Sequence, residues 1–300
     1  APIYAVLALA DAWLRAGHPT DAMSARGRRF ALNLGLAAVQ GAASVAIIWA
    51  FFNFRFSARG PGTPGLVQFA WSWSEMLGTL GWKRGIVEAA LRWHLLPEAW
   101  LYGLTNVLAG EAARPAFFAG EHSLTGWWQF FPTLFLLKTP LAFLAALGAT
   151  LALGLVRLRH SAPETRRVAL QRAAPLLVSA LVVWGIALRS NLNIGDRHIL
   201  AIYPVLFVGV GLLATSRRLI WPAAALAAAA VYASGTVRPH YLASFNALAG
   251  GPERAYRLFV DSSLDWGQDL PGLRDYIADH PTEGPFYASY FGNGDPRTYG

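Results

Sequence analysis

Long apolar runs separated by shorter polar segments dominate this chain. A helix needs about 20 residues to cross the hydrocarbon core of a bilayer, and several of these runs approach or exceed that length. We therefore predict a mainly α-helical fold in which residues 1–234 form a polytopic transmembrane bundle. The predicted spans, of which the first is short, are residues 3–14, 30–54, 130–156, 173–188, 199–214 and 219–234.

The amino-acid composition narrows the class of protein further. The chain is 55% hydrophobic and 14% charged, and it contains no cysteine, which excludes disulfides and thiolate metal sites. A net charge of +8 could indicate nucleic acid, but the arginines fall in short clusters between apolar runs, which is typical of membrane topology signals. We expect a lipid bilayer as the environment and no nucleic-acid partner.

Clusters of basic residues follow the first, third and fifth apolar runs. The positive-inside rule places such clusters in the cytoplasm, so we predict that the loop 55–127, the loop near residue 195 and the tail from 235 face the other side. This indicates a multi-pass membrane protein whose C-terminal segment lies on the outer side; we expect that membrane to be the cell's inner membrane and that side to be the periplasm. The clusters are Arg15, Arg26, Arg28 and Arg29; Arg157, Arg159, Arg166, Arg167 and Arg172; and Arg217 and Arg218.

The predicted outer loop, residues 55–127, is too long for a simple connection, so we expect it to be structured. Tryptophans recur among its polar residues. Two interpretations are open: helices that lie along the headgroup region with their apolar faces down, or a folded cap packed on the bundle. Neither requires chemistry of the tryptophans, which are Trp71, Trp73, Trp82, Trp93 and Trp100.

The segment 193–198, Asn-Ile-Gly-Asp-Arg-His, connects two predicted spans, with Arg189 just upstream. Ionisable groups at such a position often face a cavity or an anionic ligand. The alternative is an interfacial turn with a snorkelling arginine. Asp196 could orient Arg197 through a salt bridge.

Lys138 lies inside the predicted span 130–156, about 12 Å below its start at 1.5 Å per residue, and Pro140 follows it. It is either a snorkelling lysine beside a bend in the helix, or a cation for a phosphate bound in the outer leaflet. Upstream, residues 114–132 bring Glu121 and His122 to the membrane surface. Lys138 and the pair formed by Arg197 and His198 would together suit one lipid phosphate.

Residues 235–300 have mixed polar composition and predict a small α/β outer domain. Residues 257–260 suit a strand, 269–278 a helix and 286–291 a second strand. The loop between the first strand and the helix would be a possible polar site, because ligands bind there in open α/β sheets. Its candidate residues are Asp261, Asp265 and Gln268. Asp261, Asp265 and Asp269 could hold a divalent cation, or Asp265 or Asp269 caps the helix; no other cofactor is predicted.

Five sequence blocks together resemble bacterial members of the GT-C membrane glycosyltransferases, nearest to the family-39-like group related to protein mannosyltransferases. The similarity extends from about residue 30 to the end of the chain. It implies a GT-C fold and transfer of a hexose or pentose from a polyprenyl-phosphate carrier to a glycan, lipid or protein acceptor of the cell envelope. The blocks are residues 120–132, 137–140, 193–204, 245–252 and 261–269.

The resemblance implies direct displacement at the anomeric carbon with inversion, an acidic residue acting as base on the acceptor, and cations that stabilise the leaving phosphate. On that basis Lys138, Arg197 and His198 bind the donor phosphate. Glu121 and His122 line the outer cavity near the sugar or the acceptor.

The chain begins at Ala1 with a short apolar run and ends at Gly300 soon after the second predicted strand. We expect a fragment that lacks N-terminal helices and whose outer domain is truncated. The acidic motif of the family lies in its first outer loop, and no segment here matches it. We therefore expect the catalytic base in the missing N-terminal part and expect the fragment alone to be inactive.

Two other classes of function compete with this interpretation. A transporter or flippase of lipid-linked sugars would also need cations for phosphate, but charges buried through both leaflets would favour it, and here they gather on the outer side. A non-catalytic anchor for the outer domain would tolerate alanine at Lys138 or Arg197.

Overall fold

The computed structural model describes residues 23–58, 69–111, 114–288, 290 and 295–299, which are mainly helical. In chain order the α-helices are α1 (Met23–Phe51), α2 (Trp73–Thr79), α3 (Arg84–Arg92), α4 (Glu98–Gly110), α5 (Phe130–Lys138), α6 (Leu141–His160), α7 (Pro163–Ala187), α8 (Tyr203–Gly211), α9 (Ile220–Thr236), α10 (Pro252–Ala255) and α11 (Leu270–Asp279). A hairpin of two strands, β1 (Ala116–Phe118) and β2 (Glu121–Ser123), precedes α5. Turns of 3-10 helix cover Gly81–Lys83, Asp196–Ile202, Leu212–Thr215, Ala247–Ala249, Asp261–Ser263 and Pro296–Tyr299.

The chain divides into two compact units. The first comprises Ala1–Arg114 and Arg157–Leu192, and the second comprises Pro115–Val156 and Asn193–Gly300. The hexapeptide 193–198 therefore belongs to the second unit, whereas Arg189 belongs to the first.

Within the described ranges, four helical segments are long and apolar enough to cross a membrane: Phe30–Phe51, Leu141–His160, Pro163–Ala187 and Asp196–Thr215. Large apolar side chains on them are exposed, for example Leu181 at 68%. Such extensive apolar exposure suits lipid and not water, so the chain is a membrane protein. The apolar helix Ile220–Thr236 is shorter, and the predicted span 3–14 lies outside the described residues.

The apolar run 130–156, predicted as one continuous span, is two helices. Helix α5 ends at Lys138, Thr139 is extended, and α6 begins after Pro140. Proline has no N–H and disfavours helical geometry at the residue before it, which explains the break. The candidate span therefore starts at Leu141, and Lys138 precedes it instead of lying inside it.

Helices α2 to α4 occupy much of the segment predicted as an outer loop. Ser72 and Glu75 form a reciprocal capping box that starts α2. The ring of Tyr102 on α4 stacks on the ring of Phe69, with ring centres 3.9 Å apart. It meets the ring of Trp73 edge-on, with ring centres 5.5 Å apart. These short helices thus pack on one another through aromatic side chains.

The predicted strands of the C-terminal segment are wrong where the structure describes them, because residues 235–288 and 290 contain no strand. Leu258 and Phe259 both donate backbone hydrogen bonds to the carbonyl of Ala255 and so form a turn. Fully buried Phe259 packs against Phe118, Phe130 and Phe245. This packing overrides the strand preference of the local sequence. The helix predicted over 269–278 is confirmed as α11.

Candidate functional site

The break after α5 is held by a residue from far along the chain. The carbonyl of Leu136 would accept from the N–H of residue 140 in a continuous helix, but that residue is proline. The side-chain amide of Asn246 donates to it instead at 2.7 Å, and also to the carbonyl of Thr139 at 2.8 Å. The backbone N–H of Asn246 donates to the carbonyl of Leu137 at 2.8 Å. One asparagine therefore satisfies three carbonyl groups at the break.

Lys138 is the last residue of α5, and the C-terminal segment that carries Asn246 also holds its ammonium. It donates to the carbonyl oxygens of Leu242 at 2.6 Å and Ser263 at 2.9 Å, and it lies 4.7 Å from the centre of the Phe245 ring. An ammonium has three N–H donors, so these two bonds leave one. Carbonyl groups and an aromatic ring hold the cation without neutralising its charge.

Burial lowers the pKa of the Lys138 ammonium below its usual value of 10.5, and the negative charge of Asp196 partly offsets this effect. Desolvation penalises the charged form of a group, whereas a nearby opposite charge favours it. An additional anion beside Lys138 would therefore be favourable, because it would replace solvation that the ammonium has lost.

A cavity of about 510 Å³ borders Lys138. Alanines of α9, Ala229 and Ala233, line one part of it, and Pro140 and Leu141 line another. Its volume lies within the range of sites for small ligands, about 300–1,000 Å³. The arrangement combines a half-buried cation with a largely apolar wall.

The segment 193–198 is anchored by backbone and side-chain hydrogen bonds within the second unit. The side-chain oxygen of buried Asn193 accepts from the backbone N–H of Trp127 at 2.6 Å. The hydroxyl of Ser262 donates to the carbonyl of Ile194 at 2.7 Å. A Cβ on Gly195 would lie 3.2 Å from that hydroxyl oxygen. Glycine here allows the close approach of two segments that the sequence singled out separately.

Arg197 does not form the predicted salt bridge with Asp196. Its guanidinium instead lies 4.9 Å from the centre of the Trp266 ring, a cation–π contact in which both side chains are exposed. Half-buried His198 packs edge-on against Phe131 of α5, with ring centres 6.1 Å apart. The 3-10 segment Asp196–Ile202 packs against α5. The elements that carry Lys138 and the Arg197–His198 pair are thus direct neighbours.

Glu121 and His122 lie on β2, where they pair with Phe118 and Phe117 of β1. Both side chains are exposed. The hairpin is tied to the rest of the unit by the backbone N–H of Ala119, which donates to the carbonyl of Leu258 at 3.0 Å. The structure thus places Glu121 and His122 on a surface hairpin of the same unit as Lys138.

The polar segment 261–268 forms its own network of hydrogen bonds. The carboxylate of Asp265 accepts from the N–H of Gly267, and the side chain of Gln268 accepts from Trp266 and donates to the carbonyl of Leu264. Asp261 adopts the left-handed region and accepts from the N–H of Ser262. These residues shape a loop that presents Trp266.

Neither role predicted for the aspartates is seen. Asp269 occupies the N-cap of α11 without a side-chain hydrogen bond to it, and Asp265 binds within its own loop. Among the residues that the structure describes, no group of three or more His, Asp or Glu side chains could share a metal ion.

Sequence reasoning missed Asn246, Ser262 and Trp266 as contributors to this region. The available signal was Pro140: a proline within an apolar run leaves a carbonyl that needs another donor. Which residue supplies that donor is a matter of tertiary structure.

Comparisons of the chain with protein-family models, with curated proteins and with solved structures find no match.

Proposed function

We propose that this protein is a membrane glycosyltransferase that moves a sugar from a polyprenyl-phosphate-linked donor to an acceptor at the outer face of the membrane. The observation that carries the proposal is the adjacency of the elements bearing Lys138 and Arg197. Lys138 also borders a cavity whose alanine-rich wall suits an apolar chain. A ligand with a phosphate and a long hydrocarbon chain would satisfy both features.

Each cation has a separate role in this proposal. The half-buried ammonium of Lys138 acts as a point charge on the phosphate, whereas the exposed guanidinium of Arg197 provides a planar fork for two phosphate oxygens. His198 adds a hydrogen bond. Because the phosphate gains charge as the glycosidic bond breaks, fixed cations stabilise the transition state more than the ground state.

The remaining assignments belong to the same proposal. Glu121 and His122 contact the sugar or the acceptor, and the loop that contains Asp261, Asp265 and Gln268 supports Trp266 beneath Arg197. The location is the inner membrane of the cell, with the donor site on the periplasmic side.

The test is sugar transfer in membranes of cells that produce the full-length protein, with polyprenyl-phosphate donors carrying labelled hexoses or pentoses. We expect wild type to form product, and Lys138→Ala and Arg197→Ala to lose most of it. Arg257→Ala is the matched control, because Arg257, like Arg197, is an exposed arginine over an aromatic ring. That ring belongs to Tyr256, the residue before it in sequence. Equal product in all four proteins would contradict the proposal. Movement of intact donor across the membrane without product would favour a transporter.

A further inference from the structure

The first unit contains a cavity of about 1150 Å³ that the proposed function does not use. One wall is the C-terminal end of α7, a candidate membrane span. Other lining residues come from the end of α2, the turn Gly81–Lys83 and the end of α4. The cavity therefore lies where a membrane-spanning helix meets a cluster of short helices.

Of the residues that the structure describes, two cations line this cavity, Lys83 and Arg189. Neither side chain forms an ion pair or hydrogen bond with any residue in the described part of the chain. Arg84, next to Lys83, behaves differently: it pairs with Glu88 at 2.7 Å and does not line the cavity. Lys83 and Arg189 are therefore available for an anion in the cavity.

The remaining lining is both polar and apolar. Ser190 and Asn191 offer side chains that form hydrogen bonds, and the carboxylate of Glu111 can accept from a hydroxyl group. Ile186, which is 59% exposed, continues the lipid-facing surface of α7 into the cavity, and Trp82 is 80% exposed. Tryptophan is typical of the membrane–water interface. A ligand that fits must therefore have an anionic, hydroxylated end and a hydrocarbon end.

We infer that this cavity binds one anionic membrane phospholipid, with its phosphate between Lys83 and Arg189 and its acyl chains against Ile186. Glu111, Ser190 and Asn191 contact hydroxyl groups of the headgroup. This site is separate from the proposed donor site and does not depend on the glycosyltransferase proposal. It depends only on α7 being in contact with lipid.

The test is native mass spectrometry of the detergent-purified protein titrated with phosphatidylglycerol, with phosphatidylcholine as the headgroup that carries no net charge. We expect wild type to retain one phosphatidylglycerol in preference to phosphatidylcholine. Lys83→Gln and Arg189→Gln should each weaken this binding about fivefold, since a basic residue near a lipid surface contributes roughly 1 kcal/mol.

The control is Arg92→Gln, which removes an exposed arginine from α3 outside the cavity and should leave binding unchanged. Lys83→Arg keeps the charge and should also keep the binding. Equal retention of both lipids, or equal affinity of the Gln variants and wild type, would overturn the inference. Displacement of phosphatidylglycerol by millimolar inorganic phosphate would overturn it as well, because the occupant would then be a free anion.

Discussion

The side-chain amide of Asn246 donates to the carbonyl oxygen of Leu136 at 2.7 Å, across 110 positions of sequence. This bond replaces the one that Pro140 cannot make, so a helix break that would leave unsatisfied carbonyls becomes a stable feature. The break places Lys138 at a helix end, where its ammonium meets carbonyls of the C-terminal segment. The position of Lys138, the cation proposed to bind the donor phosphate, therefore depends on the distant Asn246.

Replacing Asn246 by alanine should destabilise the protein by about 2 kcal/mol, because the carbonyls of Leu136 and Thr139 lose their donor. The free energy of unfolding in detergent measures this change. Asn106→Ala, at an exposed position of α4, is the control and should stay within about 0.5 kcal/mol of wild type. Equal stabilities of the two variants would show that the amide of Asn246 is not needed.

Alanine at Gly195 should also destabilise the protein, by about 1 kcal/mol, because its Cβ would press on the hydroxyl and the backbone carbonyl of Ser262. Valine should cost more. Gly209→Ala on α8 is the matched control, since nothing lies within 4 Å of its Cβ position, and helix propensity favours alanine there. The same unfolding measurement compares the variants, and a stable Gly195→Val protein would contradict the packing of these two segments.

The lowered pKa of Lys138 predicts a dependence of stability on pH. Between this lowered pKa and the usual 10.5, the unfolded state binds more protons than the folded state. The free energy of unfolding should therefore rise with pH across that window. Lys138→Met lacks this contribution, so the stability of wild type relative to the variant should rise there and stay constant below it. A difference that does not change with pH would argue against burial of a charged lysine.

Trp266→Leu should weaken donor binding roughly two- to fivefold, because a cation–π contact at an exposed site contributes about 0.5–1 kcal/mol to the placement of Arg197. Trp221→Leu, which removes an exposed tryptophan of α9, should leave donor binding unchanged. Equilibrium binding of a polyprenyl-phosphate sugar compares the two variants. If both weaken binding equally, the effect comes from general interfacial anchoring and not from Arg197.

The apolar runs predicted the helical fold and most of its candidate spans, because hydrophobic length alone sets the requirement for crossing a bilayer. The strand predicted over residues 257–260 is wrong because Phe259 packs into an aromatic cluster formed by residues distant in sequence. The motifs around Lys138, Arg197 and Asp261 were visible in sequence. Their connections through Asn246, Ser262 and Trp266 were not, since each depends on tertiary contacts.

The proposed function requires that Lys138 and Arg197 bind the same donor phosphate. A double-mutant cycle with Lys138→Ala, Arg197→Ala and the combined variant, measured by equilibrium binding of a polyprenyl-phosphate sugar, determines whether they do. We predict that each single variant weakens binding and that the effects deviate from additivity by more than about 0.5 kcal/mol. Strictly additive effects, or unchanged binding in either single variant, would show that the two cations do not share one phosphate.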